Sequence, residues 1–332
     1  MSQCAVIFIH GLSKKPAPDV LERLWVDSLN RDDPKPEVFG YENPGLGIHT
    51  AATIRSVYWA DVFYGEDYET DLSGYERRIE SDAFESIEGE SLEDLSQVQL
   101  PQPKTAKQRA FIEGLTARYQ LASAIDDRYL APTLPGERLE QYQLERFPLP
   151  LGMKKGIIRR FANEVFYYLF EEPFKSPAGE TLNVRTVLRE RLMGAVKALK
   201  ADHERVVVAA HSMGTIIAYD CLRNCGQCEP IDGLITLGSP LGVDEVQDNL
   251  IPGRDFTKAF PVEKLKGSWI NVFDPLDPIA ALDPRLSNDY RRGAGTLVRD
   301  IEESNWGKWR HTFSKYLKGP QVRKGLREML GN

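Results

Sequence analysis

The chain has 332 residues, 42% of them hydrophobic, and a formal net charge of −7 at pH 7. This length suits one large domain or two ordinary ones, and the acidic balance argues against a nucleic-acid partner. No stretch reaches the roughly 18 to 20 apolar residues of a membrane span, and the first residues lack the basic region of an export signal. We therefore expect a cytoplasmic protein without stable membrane insertion.

The first elements in chain order predict a buried strand, a glycine turn and a helix. The run Cys4–Ile9 is continuously apolar, which is typical of strands in parallel sheets, and it leads directly into the turn His10–Leu12. Apolar residues then recur at helical intervals over Asp19–Leu29. A second strand is predicted at Thr53–Tyr58.

We predict that residues 65–180 form a helical or irregular insertion within a single domain spanning 1–332. A helical layer is expected over 105–175, and the segment Met153–Phe170 has an aromatic face opposite a basic one. Two interpretations are open for this helix: it packs over the sheet, or it is a mobile lid or an interfacial anchor over a lipid-binding cleft, the anchor making peripheral membrane contact. The basic face consists of Lys154, Lys155, Arg159 and Arg160.

The segment Arg205–Leu222 predicts a strand, a sharp turn at Ser212 and a helix. Such a turn forces its central residue into a strained conformation and projects the side chain out of the sheet, which suits a nucleophile. The small residues Ala210 and Gly214 flank the serine, and Ala210 departs by one methyl group from the pattern Gly-x-Ser-x-Gly. The alternative is a buried strand–helix junction in which the serine is incidental.

The rest of the chain continues the alternation of strands and helices. A helix is predicted over Asn183–Lys200, and strands are predicted at Gly233–Leu237, Gly267–Phe273 and Gly295–Ile301, before a terminal helix over Thr312–Leu330. This order predicts an α/β fold with a doubly wound, mostly parallel sheet. There is no phosphate-binding loop and no dinucleotide motif, so ATP and NAD are not expected.

Three cysteines, Cys221, Cys225 and Cys228, have the spacing of an iron–sulfur motif. Cys221 falls on the predicted helix after Ser212, where a cysteine acts as a small core residue, whereas cluster ligands need a loop near a cofactor cavity. A zinc site completed by Cys4 lacks a second Cys-x-x-Cys pair. We expect neither a cofactor nor a metal.

Polar residues follow the predicted strands at the edge where ligands bind in such sheets. Ser212 follows the central strand, Asp274 and Asp277 follow a later one, and His311 lies after the last. A serine needs a base to accept its proton, and an imidazole needs a carboxylate to fix its tautomer. The chain order Ser, Asp, His supplies these three groups.

With these motifs in order, the chain resembles the α/β-hydrolase-fold serine hydrolases of the bacterial esterase/lipase type. The resemblance implies Ser212 as nucleophile and His311 as base. Asp277 is the implied acid, with Asp274 as the alternative and Asp283 as a more distant one. The matching segments are 7–12, 206–220, 234–242, 271–278 and His311.

The resemblance also implies an oxyanion hole of two backbone N–H groups, one from Met213 and one from Leu12 or Gly11. His10 and His211 lie in the same two turns and are the predicted substrate-binding side chains.

The expected reaction is hydrolysis of a small-molecule or lipid ester through an acyl-enzyme. An acyl chain of medium or greater length is favoured by aromatic residues predicted near the site. Alternatives are a catalytically silent binding protein and a membrane-associated lipid hydrolase or acyltransferase. The sequence gives no indication of the oligomeric state. The aromatic residues are Trp59, Phe63, Phe166 and Tyr168.

Overall fold

The structure is a computed structural model that describes residues 3–80, 97–125, 151–293, 295–307 and 309–331. The strands in these segments are β1 Cys4–Ile9, β2 Thr53–Val57, β3 Pro173–Lys175, β4 Thr181–Asn183, β5 Arg205–His211, β6 Ile231–Leu237, β7 Leu265–Phe273, β8 Arg291–Arg292, β9 Gly295–Thr296 and β10 Val298–Glu302.

The α-helices in the same segments are α1 Pro18–Asn30, α2 Pro36–Phe39, α3 Ile48–Ala51, α4 Ala60–Tyr64, α5 Leu72–Glu80, α6 Ala106–Ile125, α7 Leu151–Phe170, α8 Val184–Asp202, α9 Met213–Asn224, α10 Asp244–Leu250, α11 Phe313–Lys318 and α12 Pro320–Leu330.

The main sheet of the described segments has six strands in the order β10-β7-β6-β5-β1-β2, and each neighbouring pair is parallel. Its register aligns the carboxyl ends of four strands: His211 pairs with Leu237, Leu237 pairs with Val272, and Phe273 pairs with Glu302. The loops that follow β5, β6, β7 and β10 therefore start at one edge of the sheet, as the sequence predicted.

Helices cover both faces of this sheet, so the predicted doubly wound α/β fold is confirmed. On one face, α7, α8 and α9 contribute to a core that includes Ile7, Val208 and Leu234. On the other face, α1, α11 and α12 pack on the alternate side chains, among them Phe8 and Ile235. The strands alternate between the two cores because successive side chains point to opposite faces.

Helix α7 is the aromatic helix of the predicted insertion. Phe161, Val165, Phe166 and Tyr168 are buried in the same core as the sheet residues. The packed interpretation therefore describes this half of the helix. The side chains of residues 151–155, which include the predicted basic residues Lys154 and Lys155, lie outside the described ones, as do residues 81–96 and 126–150 of the insertion.

Two predicted elements differ from the structure near the end of the chain. The terminal helix is divided into α11 and α12 by Gly319, because Pro320 has no N–H group and its ring disfavours a helical residue before it. The strand predicted over Gly295–Ile301 is also divided: β9 pairs with β8 in a small hairpin, and only β10 joins the main sheet.

Candidate active site

Ser212 occupies the sharp turn between β5 and α9, where the sequence placed it. Its backbone φ and ψ angles are 53° and −125°, and residues other than glycine rarely adopt a positive φ of this kind. Such strain costs on the order of 1–3 kcal/mol and persists only where surrounding contacts impose it. Ser212 N donates to Leu237 O at 3.0 Å, and Ser212 O accepts from Thr215 Oγ1 at 2.6 Å.

Glycine is required at two positions that lie close to this turn in space: Gly214, two residues after the serine, and Gly11, in the turn that follows β1. A Cβ at Gly214 would lie 2.7 Å from the carbonyl oxygens of Ile9 and His10, so α9 starts directly against the end of β1. A Cβ at Gly11 would lie 2.6 Å from Ser212 Cβ and 3.2 Å from Ser212 Oγ. The turn after β1 therefore contacts the serine directly, which brings together two motifs that are far apart in the sequence.

His311 and Asp277 form a buried pair at the same edge of the sheet. His311 Nδ1 lies 2.7 Å from Asp277 Oδ2, and both side chains are at most 3% exposed. Because an ionised carboxylate only accepts hydrogen bonds, we assign the donating proton to Nδ1. Neutral His311 then carries its lone pair on Nε2, the nitrogen that a general base uses.

Asp277 is held by further donors. Its Oδ2 also accepts from the Tyr316 hydroxyl at 2.7 Å, and its Oδ1 accepts from Ile279 N at 2.8 Å and Ala280 N at 3.1 Å. Burial raises the pKa of Asp277, but the charge of His311 and these hydrogen bonds outweigh it and hold the pKa below its usual value. Asp277 is thus an ionised carboxylate of fixed orientation.

Ser212 Oγ and His311 Nε2 are both buried, and neither makes a hydrogen bond to a residue that the structure describes. They belong to one cluster: the ring of His211, the residue before Ser212, lies 4.6 Å from the ring of His311, centroid to centroid. Gly238 closes the cluster from β6, since a Cβ there would lie 3.0 Å from His311 Nδ1.

Asp274, the alternative acid, makes its hydrogen bonds to groups other than His311. It accepts from Leu276 N and Asn305 N at 2.7 Å each and pairs with Arg310 Nη1 at 3.1 Å. Burial raises its pKa to about 6, against the opposing effect of the Arg310 charge. Asp274 therefore joins the loop after β7 to the residue that precedes His311. Asp283, the third candidate, packs against Gly242 instead.

His10 is integrated into the turn that follows β1. Its Nε2 accepts from Trp59 N at 2.9 Å, its Nδ1 lies 2.7 Å from Gly11 O, and the ring stacks on Trp59 with centroids 4.5 Å apart. Burial, followed by the charge of Lys15, lowers its pKa to about 3, so the ring is neutral at pH 7. Both ring nitrogens have protein partners, and substrate contact through His10 stays a prediction.

His211 is also buried and neutral. Its ring stacks on Phe313 with an interplanar angle of 8° and centroids 5.1 Å apart. Burial and the neighbouring His311 lower its pKa well below the usual value. Its Nε2 has no hydrogen-bond partner among the described residues. A role for this nitrogen in binding substrate stays a prediction.

The predicted oxyanion donors lie beside the serine. Met213 is the first residue of α9, so its N–H has no acceptor within the helix and lies at the positive end of the helix dipole. Gly11 and Leu12 follow β1 and are buried.

Glu164 on α7, which was not predicted as a site residue, contacts the segment that follows β1. This fully buried carboxylate accepts from Ser13 N at 3.3 Å and from the Tyr64 hydroxyl at 2.5 Å. It falls on the aromatic helix 151 positions from Ser13, and no local pattern in the sequence indicates this contact.

Among the described residues, no helix is both long and apolar enough to cross a membrane. Nor does any group of three or more His, Cys, Asp or Glu side chains in these segments have an arrangement that could hold a metal ion.

Comparison with known proteins gives little further information. No protein-family model matches the sequence, and no curated protein matches it. Among solved structures, the chain is similar to a puromycin hydrolase at 16% sequence identity, with a TM-score of 0.32. The match covers 46% of this chain and 28% of that one. At this level the similarity carries no argument about activity.

Proposed function

We propose that the chain is a serine hydrolase of the α/β-hydrolase type that cleaves carboxylic esters through an acyl-enzyme. Ser212 is the nucleophile, His311 the general base and Asp277 the acid that orients it. The observation that carries this proposal is the 2.7 Å His311–Asp277 hydrogen bond in the same buried cluster as a serine held at φ 53°. Ser212 Oγ and His311 Nε2 are buried and have no hydrogen-bond partner among the described residues. They are the two atoms between which the proposed reaction transfers a proton.

In the proposed mechanism, His311 Nε2 takes the Ser212 proton while Oγ attacks the ester carbonyl. The N–H of Met213 and that of Gly11 or Leu12 stabilise the oxyanion. His311 then protonates the leaving alcohol, and water activated by the same nitrogen releases the acid. Asp277 stabilises the imidazolium formed in both steps, because its oxygens are fixed by Tyr316 and by backbone N–H groups.

The proposed substrate is a small-molecule or lipid ester. Trp59, Phe166 and Tyr168 are at most 2% exposed and pack in the core, so these three rings support the sheet instead of lining an open acyl site. Phe63 is partly buried against the same core. The acyl preference therefore depends on other residues, and a panel of esters that varies acyl length is the direct way to define it.

The decisive variant for this function is Ser212→Ala, assayed with that ester panel. We expect turnover to fall by roughly 10⁴- to 10⁶-fold, as removal of a nucleophile does in other serine hydrolases. Ser268→Ala is the matched control, because Ser268 is exposed on β7 at a distance from the carboxyl edge of the sheet. Retention of more than a tenth of wild-type turnover by Ser212→Ala would contradict the proposal.

Binding of ester without turnover by the wild-type chain would instead support the silent binding protein. Equal loss of activity in Ser268→Ala would attribute the effect to general damage.

A further inference from the structure

Three cysteines lie together at the end of α9 that is distant from Ser212. Cys221 is in the last turn of the helix, Cys225 follows the helix directly, and Cys228 closes the next turn. Cys225 N donates to Cys221 O at 3.2 Å, and Cys228 N donates to Cys225 O at 3.0 Å. At about 1.5 Å per residue along α9, Cys221 lies about 14 Å and Cys225 about 20 Å from Ser212, so the cluster is no part of the candidate active site.

Cys225 and Cys228 are spaced for a disulfide. They are the first and last residues of a four-residue turn, in which the Cα atoms of the ends lie within about 7 Å. Disulfides join cysteines whose Cα atoms are about 4.4–6.8 Å apart. Gly226, inside this turn, has no heavy atom within 4 Å of the position of a Cβ, so the turn has space to adjust.

The two thiols differ in acidity. The neighbouring Cys221 thiol and, with a smaller effect, the charge of Arg189 lower the pKa of Cys225, although burial opposes this. Burial, followed by the proximity of Cys225, raises the pKa of Cys228 to about 11. Cys225 is therefore the more acidic of the two thiols and the better source of a nucleophilic thiolate, while Cys228 remains a thiol near pH 7.

Cys225 lines an open cavity of about 350 Å³. The lining of this cavity is mainly basic, whereas the chain as a whole has a negative net charge. Glu263 is the only acidic residue in the lining as described, although Lys258 is also paired with Asp255 at 3.0 Å, and the formal net charge of the chain is −7. A cavity with this excess of cations attracts small anions. The five basic lining residues are Arg223, Lys258, Lys264, Arg291 and Arg292.

From this juxtaposition we propose that Cys225 and Cys228 form a reversible dithiol–disulfide pair that is oxidised by an anionic low-molecular-weight disulfide entering the basic cavity. The Cys225 thiolate attacks one sulfur of the disulfide and expels the first thiolate, leaving a mixed disulfide. Cys228 then loses its proton to solvent and attacks the Cys225 sulfur, which releases the second thiolate. Two protein thiols are oxidised, and one small disulfide is reduced to two thiols.

The test compares oxidised glutathione, which is anionic, with the neutral bis(2-hydroxyethyl) disulfide on the full-length chain at low salt. After acid quenching and alkylation, peptide mass analysis should locate a loss of two hydrogens at Cys225 and Cys228. Oxidised glutathione should react at least about tenfold faster than the neutral disulfide, and this advantage should shrink at high salt. The double variant Lys258→Gln/Arg291→Gln should reduce the advantage as well.

Cysteine variants separate the two chemical steps. Cys228→Ser should stop at a stable mixed disulfide on Cys225, whereas Cys225→Ser and Cys225→Ala should give neither product. Cys4→Ser, which alters a thiol beside Leu330 and distant from this cavity, should leave both steps unchanged.

Three outcomes would overturn the proposal. They are a mixed disulfide that persists on the wild-type chain, a Cys221–Cys225 bond in place of the proposed one, and equal rates for the anionic and neutral disulfides. None of these measurements depends on Ser212, so their outcome is independent of the proposed esterase activity.

Discussion

Asp277 and Asp274 lie on one loop, and their different partners give them different roles. Asp277 contacts His311, whereas Asp274 accepts from backbone N–H groups and pairs with buried Arg310. Both side chains are at most 1% exposed. Position after a strand identified both carboxylates in the sequence, the resemblance favoured Asp277, and the folded chain shows that Asp277 is the one that contacts His311.

This difference predicts opposite consequences for two isosteric substitutions. Asp277→Asn should lower kcat by about 10⁴-fold with little loss of stability, because the amide no longer fixes the tautomer of His311 or stabilises its charged form. Asp274→Asn should mainly lower the free energy of unfolding, by about 3–5 kcal/mol, since it removes the charge of one partner in a buried ion pair with Arg310.

Ester kinetics and urea unfolding of the two Asp variants measure these effects separately. A larger kinetic effect from Asp274→Asn than from Asp277→Asn would mean that the assignment of the acid is wrong.

Gly214 provides a test of the packing beneath the nucleophile. Gly214→Ala should destabilise the fold by about 1–3 kcal/mol and reduce turnover, because its Cβ would meet two backbone carbonyl oxygens at 2.7 Å. Gly194→Ala is the matched control: this exposed helical glycine on α8 has nothing within 4 Å of the added methyl group. The control should gain up to about 1 kcal/mol from helix propensity.

Thermal unfolding of the two glycine variants provides the comparison. If Gly214→Ala and the wild type had the same Tm, the close packing of α9 against the end of β1 would be contradicted.

The residues that brace the candidate site were harder to predict than the site itself. Ser212 and His311 each follow a strand, and local patterns identify strand ends. Tyr316 contacts Asp277 from 39 positions away, and Glu164 contacts Ser13 from 151 positions away. Such contacts depend on how helices dock onto the sheet, and a single sequence does not record that docking.

The C-terminal end of strand β10 and the N-terminal end of helix α12 meet at the buried carboxylate of Glu303. Glu303 follows β10 and accepts from Gln321 N at 2.9 Å, in the first turn of α12, and from Ser304 N at 3.2 Å. Burial raises its pKa to about 7, although these hydrogen bonds oppose the shift. The positive end of the α12 dipole favours the ionised form of Glu303, but the loss of hydration on burial disfavours it more strongly.

This shift predicts how the stability of a Glu303→Gln variant depends on pH. The folded state retains the Glu303 proton up to about pH 7, whereas the unfolded chain loses it near the ordinary value of 4.5. The folded state thus binds more protons in this window, and the contribution of Glu303 to stability falls as pH rises through it. Glu303→Gln removes this loss, so its Tm relative to wild type should increase from pH 5 to pH 8.

Thermal unfolding at pH 5, 6.5 and 8 measures the trend for Glu303→Gln. The neighbouring Glu302→Gln alters an exposed side chain and should show no such trend. A Tm difference for Glu303→Gln that is constant across this range would contradict the account of a buried, protonated carboxyl group.

The secondary structure was predictable where burial was continuous. Apolar runs marked β1, β5, β6 and β7 because strands covered on both faces carry little else. The break at Gly319 was not predicted, although the pair Gly319–Pro320 is a known sequence signal for the end of a helix. The β8–β9 hairpin was missed because its two-residue strands bear no periodic pattern.

Across the whole molecule, the parallel sheet accounts for the convergence of residues distant in sequence. Ser212 follows β5, Asp277 lies in the loop after β7 and His311 lies after β10, and the register aligns these carboxyl ends along one edge. The order of the strands along the chain was predicted from the sequence, whereas their order within the sheet was not predicted and is given by the structure. The predicted boundary of the insertion and its movement as a lid remain predictions.

The most direct test of the proposed mechanism is covalent labelling by a fluorophosphonate, with the modified residue located by peptide mass analysis. The account predicts one adduct per chain, at Ser212, no adduct in Ser212→Ala, and labelling slowed by at least about 10³-fold in His311→Ala. An adduct on another serine, or a rate in His311→Ala equal to that of wild type, would contradict it.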